Sequence, residues 1–233
     1  MLSDNRKAVA SMSTHTVTAS APHERSITAR PRVALAFAVA LLPAQFAGAW
    51  VLTISSGPKA AFLQVGNGSY SGTYQSGGTP LNNATVNTVS VTVPASAVGS
   101  GTAQQMTSNS TQSVSFYDNF AVCNPPIQVY IGGWVRTPTG TGSAVLSVTS
   151  PAALTSATTP ATIPFTQISW TSTANGNTAP DIPAGTFTGG TQALRTIAAG
   201  TWVENCHTFF YANTAVVSAA TYTGQVTYTL VLP

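Results

Sequence analysis

The 233 residues carry eight basic and five acidic side chains, a formal net charge of +3. Only six of those charges lie beyond residue 32: Lys59, Arg136 and Arg195 against Asp118, Asp181 and Glu204. Residues 50–233 are therefore neutral and lack the basic patch that nucleic acid or an anionic membrane surface requires. Their solubility rests on Thr, Ser, Asn and Gln.

The first element is a leader. Arg6, Lys7, Arg25, Arg30 and Arg32 precede the apolar run Val33–Leu42, Pro43 ends it, and Ala47-Gly48-Ala49 follows. A basic n-region, an apolar h-region and an A-x-A site are the parts of a secretory signal peptide in order. The run is about ten residues long, whereas a bilayer span needs about 20. It predicts cleavage after Ala49, a mature chain starting at Trp50, and no lasting membrane insertion. Met1–Arg32 is long for an n-region. Either Met12 or a later residue is the true start, or the segment is a disordered extension; both readings set residues 1–49 apart from the fold.

Beyond residue 49 no segment has the helical period, and alternation with period two recurs. Strands are predicted at Ala61–Val65, Thr85–Val93, Gln112–Tyr117, Ile127–Val135, Ser143–Thr149, Phe165–Thr171, Gln192–Ile197 and His207–Tyr211. Gly132-Gly133 inside IQVYIGGWV predicts either a bulge or the close approach of another backbone. Tyr222–Leu232 alternates most cleanly. Tyr222, Gly224, Val226, Tyr228 and Leu230 share one face, and Thr223, Gln225, Thr227, Thr229 and Val231 the other, the pattern of a half-buried antiparallel strand. Turn clusters at Gly66–Ser69, Gly77–Asn83, Pro94–Gly101, Pro138–Gly142, Asn175–Gly185 and Gly189-Gly190 separate the runs. The fold class expected for residues 50–233 is all-β, a single antiparallel Ig-like β-sandwich.

Cys123 and Cys206 are the only cysteines. In an exported chain such a pair predicts a disulfide. Closing a loop of this length is worth about 4–5 kcal/mol in the chain-entropy model. No C-x-x-C occurs, and His207 is the only histidine beyond the leader, so no metal or other cofactor is expected.

The candidate chemistry is sparse. A Ser/His/Asp triad would need His207 with Asp118 or Asp181, and no G-x-S-x-G elbow nominates a serine. Glu204 and His207 stand three apart, which on a strand puts them on opposite faces. Asp118 and Asp181 are better explained as turn-capping residues than as a glycosidase pair. Trp134, Trp170 and Trp202 are expected in the core. Tyr70 and Tyr74, in a Gly/Ser-rich stretch, are the aromatics expected at the surface. Asn67, Asn83 and Asn109 head N-x-S/T sequons, which matter only in a glycosylating host. The chain is therefore not expected to be an enzyme.

The segment from Cys206 to the end, with Tyr222, Gly224, Val226, Tyr228 and Leu230 in its last strand, resembles the close of secreted chaperone–usher pilin-type and spore-coat-U-like domains. It departs from them in placing Cys123 mid-chain and Leu232 at the penultimate position. The resemblance implies an incomplete sandwich whose last strand is an assembly edge. The implied partners are a periplasmic chaperone or a second copy of the chain, acting by strand addition. In that scheme Trp50–Ser55 is the candidate donor segment. Two other stretches, SVTVPASAVGSGTAQQMTSNST and FYDNFAVCNPPIQVYIGGW, resemble exported bacterial proteins without an assigned activity. The expectation is a structural subunit of a surface appendage or coat, in the periplasm, at the cell surface or outside the cell. The alternative is a monomeric secreted module that binds carbohydrate through Tyr70 and Tyr74.

Overall fold

A computed structural model describes residues 7–15, 54–71, 79–81 and 86–232. Val33–Leu42, the expected cleavage site after Ala49, residues 50–53 of the candidate donor segment and Tyr74 lie outside the described residues. In chain order the strands begin with β1 (Lys7–His15), β2 (Ala60–Val65), β3 (Tyr70–Ser71), β4 (Thr79–Pro80), β5 (Thr88–Thr92), β6 (Gln104–Gln105) and β7 (Thr107–Ser108). There follow β8 (Val129–Arg136), β9 (Ser143–Thr149), β10 (Ala153–Thr155), β11 (Thr162–Pro164) and β12 (Ile168–Ser172). The last are β13 (Gly185–Thr186), β14 (Thr191–Ala198), β15 (Trp202–Tyr211) and β16 (Tyr222–Val231). The described helical turns are two short 3₁₀ segments, Ala95–Ala97 and Phe165–Gln167.

Fourteen of these strands form two packed sheets, a β-sandwich, and β3 pairs with β4 in a small separate ladder. One runs β14-β9-β16-β1-β5-β7, with the β10–β11 pair continuing beside the start of β16. The other runs β13-β12-β15-β8-β2, with β6 beside the end of β15. All pairings are antiparallel except β1 with β5.

The main core lies between the sheets. Val129, Ile131, Val135, Val203, Phe209 and Tyr211 of the second sheet meet Leu146, Val148, Val226, Tyr228 and Leu230 of the first. A smaller core of Ile54, Phe62, Tyr130, Trp134, Trp202, Cys123 and Cys206 covers the outer face of the second sheet. This double burial explains the unbroken apolar sequence of β8, whose first seven residues are all buried. A strand packed on both faces has no reason to alternate.

Gly132-Gly133 marks close approach and not a bulge, because β8 keeps its register with β2 and β15 through both. A Cβ on Gly133 would stand 2.8 Å from the carbonyl oxygen of Phe62 in β2, and one on Gly132 would stand 2.3 Å from the Tyr130 hydroxyl.

The expected strand Gln112–Tyr117 is a correction. Only one bridge forms there, Val114 with Ala121. Its backbone is spent on a tight turn: Ser115 N–H donates to Phe120 O, and the Val122 and Cys123 N–H groups both donate to Ser113 O. Cys123 is then tied to Cys206 of β15 by the disulfide, with Cα atoms 5.5 Å apart, inside the normal range. The bridge fastens segment 113–123 over the outer core.

The first sheet also contains β1, which lies in the segment expected to be a leader. Lys7–Thr14 pairs antiparallel with Thr229–Tyr222, and Ser11–His15 pairs parallel with Thr88–Thr92. No described helix is long and apolar enough to cross a membrane.

Candidate functional site

The strand expected to carry assembly, β16, lies inside the first sheet. Tyr222, Val226, Tyr228 and Leu230 are buried, while Thr223, Gln225 and Val231 are exposed, as the alternation predicts. Gly224 is the small member of the inner face because Phe165 and Leu154 crowd it: a Cβ there would stand 2.7 Å and 2.8 Å from their side chains.

On one side β16 pairs with β9 and β10; on the other it pairs with β1. The position between β16 and β5 is therefore a slot one strand wide, about 10 Å between its flanking backbones. The register sets Ala8, Ala10, Met12 and Thr14 opposite Tyr228, Val226, Gly224 and Tyr222. On the far side Met12 and Thr14 stand opposite Val89 and Val91.

The β5 wall is held by asparagines. Asn109 Oδ1 accepts from Thr88 N–H at 2.8 Å and from Asn87 Nδ2 at 3.1 Å. Asn87 Oδ1 accepts from Asn67 N–H at 2.8 Å, and Asn67 Oδ1 accepts from Thr111 N–H at 2.7 Å. The sequon asparagines Asn67 and Asn109 thus have structural work in fixing one edge of the slot; Asn83 lies outside the described residues.

At the end of the slot, where Thr14 stands opposite Tyr222 and Val91, a cavity of 280 Å³ opens, lined by Val91, Val93, Ile163, Tyr211, Val217 and Tyr222 among others. The Tyr222 hydroxyl donates to Ser218 O at 2.8 Å. Burial, with Tyr222 nearby, raises the Tyr211 phenol above its ordinary range. Burial raises Tyr228 likewise, and its hydroxyl has no hydrogen-bond partner among the described residues.

The other candidate residues are dispersed. His207 is fully buried in the core between the sheets. It stacks on Trp170 at 5.9 Å and stands edge-on to Phe209 at 6.1 Å. Burial pushes its imidazole down to about 3. Glu204 lies on the opposite face of β15, as the spacing predicts, accepting from Ser115 Oγ at 2.8 Å and the Tyr130 hydroxyl at 2.7 Å. Burial raises its carboxyl above the usual range against those two donors.

Asp118 caps a turn, accepting from Phe120 N–H at 3.0 Å. Asp181 stands 3.6 Å from Arg195 and accepts from Asn177 Nδ2 at 3.3 Å. Neither aspartate hydrogen-bonds His207, whose two ring nitrogens have no partner among the described residues. Trp134, Trp170 and Trp202 are buried. Tyr70 is half-buried and packs edge-on to Phe62 at 5.3 Å, and burial pushes its phenol up to about 12. No cluster of three metal-ligating side chains occurs among the described residues.

Sequence reasoning missed the β1 position in the sheet, because it set residues 1–49 apart from the fold. Compared with family models, curated proteins and solved structures, the chain matches none.

Proposed function

We propose that this chain is an exported structural subunit of a surface appendage or coat, joined to its neighbours by β-strand addition. The observation that carries the reading is the occupant of the slot. Lys7–His15 precedes the apolar run read as the export signal, so it stays behind when the following domain crosses the membrane. Cleavage after Ala49 then severs it. The exported domain would present β16 and β5 across the width of one missing strand. A strand added there gains main-chain hydrogen bonds along β16, and along β5 over the stretch now held by Ser11–His15, while alternate side chains give selectivity.

The disulfide Cys123–Cys206 supports export, since such bonds persist in oxidising compartments. The near absence of charge beyond residue 49 supports association, because neutral surfaces repel their copies weakly.

The test is N-terminal sequencing and intact mass of the protein recovered from the cell envelope, with light scattering and negative-stain microscopy of the same sample. The reading expects Trp50 as the first residue and particles larger than one chain. A monomer that retains Lys7–His15 would refute it, because its slot is already filled.

A further inference from the structure

Two loops, 94–101 and 212–221, form the mouth of the 280 Å³ cavity, and one side chain ties them together. Asn213 follows β15 with a φ of 57°, a left-handed conformation that asparagine tolerates, and it is 1% exposed. Its Nδ2 donates to Ala97 O at 2.7 Å and to Ser100 Oγ at 3.0 Å, and its Oδ1 accepts from Gly99 N–H at 3.2 Å. Its carbonyl accepts from Gly101 N–H at 3.0 Å. The two loops also touch directly: a Cβ on Gly99 would stand 2.4 Å from the Val216 side chain. Val216 is 80% exposed and gives the mouth an apolar rim.

The interior is apolar and uncharged. Val91, Val93, Ile163 and Val217 form walls, and no charged side chain lines the space among the described residues. Two phenols supply polarity. The Tyr222 hydroxyl is committed to Ser218 O at 2.8 Å. Tyr211 is 4% exposed, and burial and the neighbouring Tyr222 both raise its phenol with no hydrogen bond to offset them. Its hydroxyl is therefore the group placed to meet an oxygen inside the cavity.

A cavity left empty lowers stability in proportion to its volume, and water gains little where few polar groups line the space. An apolar cavity of about 150 Å³ holds one benzene ring. At 280 Å³ this one has room for about eleven non-hydrogen atoms. We infer that it is a binding site for a neutral medium-chain aliphatic molecule, an alcohol or ketone, whose oxygen meets the Tyr211 hydroxyl and whose chain lies along the valine walls. A carboxylate of the same length is disfavoured, since it would shed its hydration with no cation to receive it.

The folded, oxidised full chain is titrated with 1-octanol by calorimetry, and its melting temperature is followed in parallel. The expected result is saturable uptake of one molecule per chain and a rise in melting temperature. Octanoate at pH 8 should bind at least about tenfold more weakly. Tyr211→Phe should weaken 1-octanol about fivefold and leave 1-chlorooctane, which lacks the hydroxyl, unchanged. A variant that had merely lost its fold would lose both. Val217→Phe puts a ring into the cavity and should abolish uptake of both; if it does not fold, Ala219→Phe at the same wall replaces it. No saturable uptake by either readout would overturn the inference. So would 1-octanol binding that survives both the cavity-filling variant and Tyr211→Phe, because the molecule would then sit elsewhere.

Discussion

His207 makes folding of this domain sensitive to acid. Its ring is sealed between Trp170 and Phe209, and neither nitrogen has a hydrogen-bond partner among the described residues. Burial lowers the folded-state value to about 3, against about 6.5 in the unfolded chain. The unfolded state therefore takes up the proton first as pH falls. Stability is complete above pH 6.5 and is lost between there and pH 3, at about 1.4 kcal/mol per pH unit. By pH 4 the loss is about 3 kcal/mol, a large part of the 5–15 kcal/mol typical of a domain. Replacing His207 by Phe keeps the ring stack and removes both the titration and two unpaired buried nitrogens. Guanidinium unfolding followed by tryptophan fluorescence, at half-unit steps from pH 4 to 7, measures the difference between wild type and His207→Phe. That difference cancels every other titrating group. It should widen toward low pH by about 3 kcal/mol, with the variant the more stable at every pH. A difference constant with pH would refute the reasoning.

Glu204 has the opposite sign. Its folded-state value is raised, so its contribution is complete below the unfolded value and is lost as pH rises through the folded one. Glu204→Gln should gain on wild type between pH 4 and 7 in the same unfolding assay, and a gain that shrinks with rising pH would contradict it. Reducing the Cys123–Cys206 bond should cost about 2–5 kcal/mol and open segment 113–123 to proteolysis, read as new cleavage sites near Phe116–Phe120 by mass spectrometry. Gly133→Ala should lower stability by about 1–3 kcal/mol, because its methyl group must push β2 away from β8; an unchanged urea midpoint would show that the strands can yield there.

The fold class was legible because most strands have one face in the main core, which writes period two into the sequence. Ser143–Thr149 and the start of β16 match the expectation to the residue. β8 was legible for the opposite reason, as an apolar run buried on both faces; of β15 only His207–Tyr211 was expected, because Glu204 and Asn205 interrupt the apolar pattern of its first half. Short strands such as Ala153–Thr155 and Thr162–Pro164 are set by neighbours and not by pattern. Gln112–Tyr117 alternates because one side of it faces the outer core through Phe116, yet a turn and the disulfide, both non-local, decide its backbone. The expected assembly face of β16 was readable from its alternation. The slot was not, since its second wall, β5, is brought beside β1 by pairing across more than 70 residues of sequence.

The outer edges of the two sheets differ from the two edges that flank the slot. A bare edge is a template for unwanted pairing, and proteins blunt such edges with charge, proline, bulges or brevity. β14, the outer strand on one side of the first sheet, carries Arg195 and a register shift between Ala193 and Arg195. β11 is three residues long and ends in Pro164, and β7 and β13 have two residues each. β2, at the edge of the second sheet, follows Pro58-Lys59. The β16 edge has none of these devices. It offers ten residues, YTGQVTYTLV, without a charge, a proline or a bulge against β1. β5 is equally free of charge and proline. Two unguarded edges facing each other across one strand width fit a position that is filled whenever the folded domain is present. On the proposed reading, in which Lys7–His15 is removed by export, an added strand satisfies both edges at once and keeps the core behind Val226 and Tyr228 out of water.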